Sequence, residues 1–243
     1  MPARDLPARV PFLPMLLGLL LAACSTAPAL QPATDAEART TTLDPVSDPA
    51  WVQDMARFAA EDAANPPPRD AVVFTGSSSV RMWDTLAADF PGVPVLNRGF
   101  GGSQVRDSVH YADEVALRYR PRQVLIYAGD NDINAGRTPA QVLSDFQAFV
   151  TRLRSEQPLV RIGYLAIKPS PSRIEQLPRQ QAANRLVREW TETQDGVDFI
   201  DVATPLLDAS GRPREDLFIG DRLHLNAAAY ALWREVVAPY LQR

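Results

Sequence analysis

Four short segments of this 243-residue chain hold residue types that could transfer an acyl group. Gly76-Ser77-Ser78-Ser79 sets three hydroxyls where an apolar run gives way to a helical pattern. Backbone N–H groups are unpaired at such a junction and the helix dipole is positive. A serine there is a nucleophile whose own N–H helps bind an oxyanion, or equally a helix cap or a phosphate cradle. The segment is not a Gly-x-Ser-x-Gly elbow, because Val80 stands where the last glycine belongs. Gly99, Gly101 and Gly102, within Asn97-Arg98-Gly99-Phe100-Gly101-Gly102-Ser103, let backbone approach a ligand closely or form a plain turn. They do not fit the dinucleotide-binding pattern Gly-x-Gly-x-x-Gly. Gly129-Asp130-Asn131-Asp132 offers an amide that can donate to developing negative charge, or a polar turn.

The chain has two histidines. His110 falls off the apolar face of its helical pattern and reads as a solvated surface residue. His224 follows Asp221 by three residues in a loop before a helix. That spacing lets the carboxylate take the imidazole Nδ1–H and leave Nε2 as a base, or the two are unrelated polar residues. Each segment alone is ambiguous. Together they supply a nucleophile, two kinds of oxyanion donor and an Asp–His pair, a complete set for acyl transfer.

What positions these segments is an alternation of short apolar runs with helical patterns. Strands are predicted at 71–75, 94–97, 123–127, 160–167 and 197–201, each apolar enough to be buried on both faces. Helices are predicted from Asp48-Pro49 to about Asn65, over Val80–Asp89, over Val105–Ala116, and from the capping box Thr138-Pro139-Ala140-Gln141 onward. Further helices fit 178–193 and 226–240. Alternation of this kind predicts an α/β fold: a three-layer α/β/α sandwich around a five-stranded parallel sheet in flavodoxin-like order. Ligands in such folds bind beyond the carboxyl ends of the strands, and the four segments follow strands one, two, three and five.

Composition narrows the function classes. With 46% hydrophobic and 22% charged residues the chain is globular. A net charge of −4 without a basic cluster makes the chain a poor candidate for binding nucleic acid through phosphates. One cysteine, Cys24, allows neither an intrachain disulfide nor a cysteine-based zinc site. Lys168 is the single lysine beside 24 arginines, which reads as compositional bias. Arg4 and Arg9 precede an apolar stretch from Val10 to Ala23, the length of a signal peptide. It ends in Leu21-Ala22-Ala23-Cys24, which resembles a bacterial lipobox. The expected organisation is a leader at 1–23, a lipidated Cys24 with a Pro/Thr/Ala-rich tether to residue 47, and a domain from 48 to 243. The implied location is the cell envelope, on the periplasmic face of the outer membrane.

The four segments, in this order, resemble the motif blocks of SGNH hydrolases, the GDSL esterase/lipase family, over roughly Asp70–Tyr240. The resemblance makes Ser78 the nucleophile, Gly102 and Asn131 the oxyanion donors alongside the Ser78 N–H, and Asp221 and His224 the acid and base. Ser77 and Ser79 depart from the common Asp and Leu, and in this the chain is similar to the platelet-activating-factor acetylhydrolase-like branch. No metal or organic cofactor is implied; the partner is a small or polymer-bound ester. Spacings of 24 residues from Ser78 to Gly102 and 29 from there to Asn131 leave no room for a large lid, so short acyl groups are expected. Two other readings compete. One is a metal-dependent hydrolase using Asp130, Asp132, Asp221 and His224. The other is a non-catalytic envelope binding module on the same fold.

Overall fold

The computed structural model describes residues 50–241. The leader, Cys24, the tether and the expected helix start at Asp48-Pro49 lie outside the described residues. The strands are β1 (Val72–Gly76), β2 (Val95–Gly99), β3 (Gln123–Tyr127), β4 (Arg161–Leu165) and β5 (Val197–Ile200). They form one parallel sheet in the order β2-β1-β3-β4-β5, the flavodoxin-like order that the alternation predicts.

Strand side chains alternate between two cores, as the two-residue period of a strand requires. Val124, Ile126, Ile162 and Tyr164 face one side. There they pack beneath α1 (Val52–Ala64), α4 (Val105–His110), α5 (Ala112–Val115), α7 (Pro139–Glu156) and α8 (Leu177–Thr191). Val72, Phe74, Leu125, Tyr127 and Leu165 face the other side. Their partners come from α2 (Ser78–Arg81), α3 (Leu86–Asp89) and α9 (Ala227–Val237), with the buried indoles of Trp83 and Trp233 between them. The result is the expected three-layer sandwich. Among the described residues no helix is long and apolar enough to cross a membrane.

Several boundaries differ from the sequence expectation, each for a local reason. The helix expected over Val80–Asp89 is two single turns, α2 and α3. Trp83 drops into the core against Phe74, Phe90 and Trp233, and its Nε1 donates to Asp89 Oδ2 at 2.7 Å. The helix expected over Val105–Ala116 breaks at Tyr111, whose ring packs edge-on against Phe100. Strand β4 stops at Leu165 rather than 167 because the Asn184 amide takes both backbone groups of Ile167, each at 2.8 Å. The Thr138 capping box forms as expected, with Gln141 N–H on Thr138 Oγ1 and Thr138 N–H on Gln141 Oε1.

The register matters most for function. Gly76 of β1 pairs with Gly99 of β2 on one side and Tyr127 of β3 on the other. Three strands therefore end level, and the loops that follow them leave the sheet side by side.

Candidate active site

The first of these loops turns within one residue. Gly76 has φ +108°, and a Cβ there would lie 2.0 Å from the Tyr127 carbonyl oxygen, so only glycine fits. Ser77 N–H donates to that same oxygen at 2.8 Å, and α2 starts at Ser78. The three adjacent serines then diverge. Ser77 and Ser79 are each 2% exposed, whereas Ser78 is half-buried and lines an open cavity of about 530 Å³. Gly101, Gly102, Asn131 and His224 line it too.

The second loop turns at Gly102, φ +84°, before α4. Among the described residues neither the Ser78 N–H nor the Gly102 N–H donates to a protein acceptor. The third loop leads into α6 (Asp130–Asn134), which fastens the second in place. Asn131 Nδ2 donates to the Ser103 carbonyl at 3.0 Å, and Asp132 Oδ1 accepts from Val105 N–H at 3.0 Å. Arg173 Nη1 donates to Asn131 Oδ1 at 3.2 Å. A guanidinium has no acceptor, so this contact fixes which end of the amide is oxygen. One Nδ2 hydrogen is left beside the two backbone N–H groups. Burial pushes the Asp132 carboxyl up to about 7, with the Val105 N–H opposing the rise.

His224 arrives on a loop closed by the Phe218–Leu225 bridge. Asp221 shapes that loop: its Oδ1 accepts from the N–H groups of Leu223 and His224, both at 2.9 Å. Its Oδ2 lies 2.6 Å from His224 Nδ1. On the far side of the ring, Nε2 lies 2.9 Å from Ser78 Oγ. With Nδ1–H donating to the carboxylate, Nε2 is the acceptor for the serine hydroxyl. The partial burial of Asp221 raises its pKa, but the bonds from the His224 ring and from both N–H groups outweigh this and hold it down at about 2.

All five domain residues singled out in the sequence thus line up along one rim. His110 is exposed, as expected. The four residues of the metal reading fall into separate hydrogen-bond sets. Asp130 bonds Gln180 and Arg173, Asp132 bonds Val105, and Asp221 bonds His224. Among the described residues no three His, Cys, Asp or Glu side chains converge as a metal site. A larger hollow of about 950 Å³ opens at the opposite rim, by Pro68, Arg122 and Leu159, away from the serine.

Sequence reasoning passed over three residues that the fold brings here. Lys168, read as compositional bias, is 1% exposed, and its Nζ braces the histidine loop through the Leu223 carbonyl at 2.8 Å. Arg173 sits in the 3₁₀ turn Pro171–Gln176, in the segment after β4. Had the rule about strand carboxyl ends been applied to the fourth strand as well, both would have come into view. Arg81 follows Ser78 by three residues and lines the same cavity, a spacing that shares one helix face.

The arrangement has relatives. The chain is 28% identical over 197 residues to platelet-activating factor acetylhydrolase IB subunit alpha1 of Pongo abelii, covering 77% of this chain and 81% of that protein. Its fold is similar to that of a GDSL-like lipase from Bacteroides thetaiotaomicron, with a TM-score of 0.67 and 18% identity over 76% of this chain and 96% of the other. It is also similar to a single-residue variant of an acetyl xylan esterase from Geobacillus stearothermophilus, with a TM-score of 0.56 and 18% identity over 73% and 98%. Residues 73–232, spanning every loop described above, match the GDSL-like Lipase/Acylhydrolase family, and the chain belongs to it.

Proposed function

We propose that the protein hydrolyses short acyl esters, acetyl esters among them, by a serine mechanism. The observation that carries this reading is the relay Ser78 Oγ–His224 Nε2 at 2.9 Å and His224 Nδ1–Asp221 Oδ2 at 2.6 Å, beside two N–H groups that have no acceptor among the described residues. His224 takes the Ser78 proton as Oγ attacks the ester carbonyl. The oxyanion collects on the N–H groups of Ser78 and Gly102 and the amide of Asn131. His224 then protonates the departing alcohol, and water, deprotonated by His224, releases the acid. The printed activities of the relatives, an acetylhydrolase and an acetyl xylan esterase, support a small acyl group. So does the short path from β2 to α4, which leaves no segment there to form a lid. Among p-nitrophenyl esters graded from acetate to palmitate, kcat/KM should be highest at two to four carbons; a maximum at the long chains contradicts the reading.

The pH profile tests the base. A protonated imidazole cannot accept the serine proton, so kcat/KM should fall toward acid. Asp221, held at about 2, stays ionised throughout that limb and adds no step to it. Asp132, pushed up to about 7, lies next to the site and titrates within the assayed range. The acid limb should therefore persist in Asp132→Asn. Activity that stays flat down to pH 4, or an acid limb that vanishes in Asp132→Asn, rules out His224 as the general base.

We further propose that Cys24 is lipidated and that the domain works at the envelope surface. The motif Leu21-Ala22-Ala23-Cys24 and the tether behind it support this. Cys24→Ser should release soluble protein or leave unprocessed precursor; unchanged membrane fractionation contradicts the anchor.

A further inference from the structure

The cavity in front of Ser78 has an uneven charge. Arg81 and Arg173 line it together with one carboxylate, Asp54. Asp54 is already matched by Arg57, whose Nη2 lies 2.8 Å from Asp54 Oδ1. Arg173 is held 3.0 Å from the buried Asp130 carboxylate, which also has the Lys168 ammonium 3.7 Å away. One carboxylate thus faces two cations there. Arg81 is exposed where it lines the cavity and makes no ion pair or side-chain hydrogen bond among the described residues.

Its placement is specific. A Cβ built on Gly101 would lie 2.8 Å from Arg81 Nε and 3.5 Å from Cζ, so the guanidinium rests against the bare backbone of this glycine. Trp51 Nε1 donates to the Gly101 carbonyl at 3.0 Å and holds the same peptide from the other end of the domain's chain. Gly101 immediately precedes Gly102, the candidate oxyanion donor. The cavity therefore carries a guanidinium without a partner among the described residues beside one candidate oxyanion donor, Gly102, and a second, Arg173, bonded to another, Asn131.

We propose that Arg81, assisted by Arg173, selects esters that carry a carboxylate or phosphate a few bonds from the scissile carbonyl. The proposal rests on the esterase reading and names its substrate class. A guanidinium recognises either anion with paired N–H donors, and such charge-assisted bonds are stronger than neutral ones. The attraction also raises the local concentration of anionic substrate in a way that added salt weakens.

Two matched pairs of esters test it and distinguish where the anion sits. On the alcohol side, 4-acetoxybenzoate is compared with methyl 4-acetoxybenzoate. On the acyl side, p-nitrophenyl hemisuccinate is compared with p-nitrophenyl butyrate. The readout is the anionic-to-neutral ratio of kcat/KM in the wild-type protein. At least one pair should show a ratio of about ten or more, the scale of one charge-assisted hydrogen bond. That ratio should shrink toward one in Arg81→Gln, fall part of the way in Arg81→Lys, which keeps the charge but loses the paired donors, and fall as sodium chloride is raised. The same four esters are titrated calorimetrically into Ser78→Ala protein, where the Kd ratio reports recognition without turnover. Hydrolysis of all four esters with ratios near one in both pairs overturns the inference and leaves the esterase reading intact. Tighter binding of the anionic esters to Ser78→Ala, lost with Arg81→Gln, without hydrolysis by the wild type, upholds the inference and sinks the esterase reading instead. Equal binding of all four without hydrolysis removes both.

Discussion

Ser78→Ala is expected to lose turnover by roughly 10⁶, the scale on which removal of a serine nucleophile acts. It should also lose all labelling by a fluorophosphonate probe. The fold should be unaffected, because among the described residues Ser78 Oγ bonds only His224 Nε2, and Ser78 is not part of either core. Thermal unfolding of the variant should coincide with that of the wild type. The informative controls are its neighbours. Ser77 and Ser79 are buried at 2% exposure, and both brace the site through backbone carbonyls. Ser77 O caps the Val80 and Arg81 N–H groups, and Ser79 O accepts from Tyr230 Oη at 2.9 Å. Ser77→Ala and Ser79→Ala keep those carbonyls, so they should label normally and retain most activity. Mass spectrometry of the labelled peptide decides among the three. An adduct on Ser77 or Ser79, or full activity in Ser78→Ala, would falsify the mechanism.

Asn131→Ala is expected to lower kcat by about 10²–10³, or roughly 2.7–4 kcal/mol, the cost of one oxyanion donor. The donor acts on charge that exists only in the transition state, so KM should change little. Asn131 also ties down the Ser103 carbonyl and accepts from Arg173, and a bracing role alone predicts a different pattern. If Asn131 only shaped the cavity, KM would rise while kcat was kept. Affinity for a boronic acid, which mimics the tetrahedral adduct, should fall in parallel with kcat. Unchanged boronate affinity alongside a lowered kcat removes Asn131 from the oxyanion hole.

The fold was legible in the sequence because its strands are buried on both faces. Runs such as Gln123-Val124-Leu125-Ile126-Tyr127 have few alternatives, and that strand occupies the expected residues. Helix ends were legible where side chains cap them, as at Thr138. They were not legible where tertiary packing decides. Nothing local announces that Trp83 will break its helix by entering the core, or that Asn184 will end β4 by pairing with Ile167 from the neighbouring helix.

The site divides along the same line. Residue type and short spacing made Asp221 and His224 a candidate pair, since three residues in a turn can bring carboxylate to imidazole, and the motif resemblance gave them their roles. Type and spacing also place Gly102 and Asn131 in loops at strand ends, which parallel topology sends to one rim. Choosing Ser78 over Ser77 and Ser79 from residue types was not possible without the motif resemblance. In space, burial on two sides leaves one hydroxyl of the three facing the cavity, and His224 comes to it from 146 residues away. The charges around that cavity belong wholly to tertiary structure. Whether Arg81, Arg173 and Lys168 are surface charges or parts of a site depends on which carboxylates and carbonyls come within reach, and the partners of Arg173 and Lys168 lie on α6 and the histidine loop. Local sequence sets what a residue can do; three-dimensional packing sets what it meets.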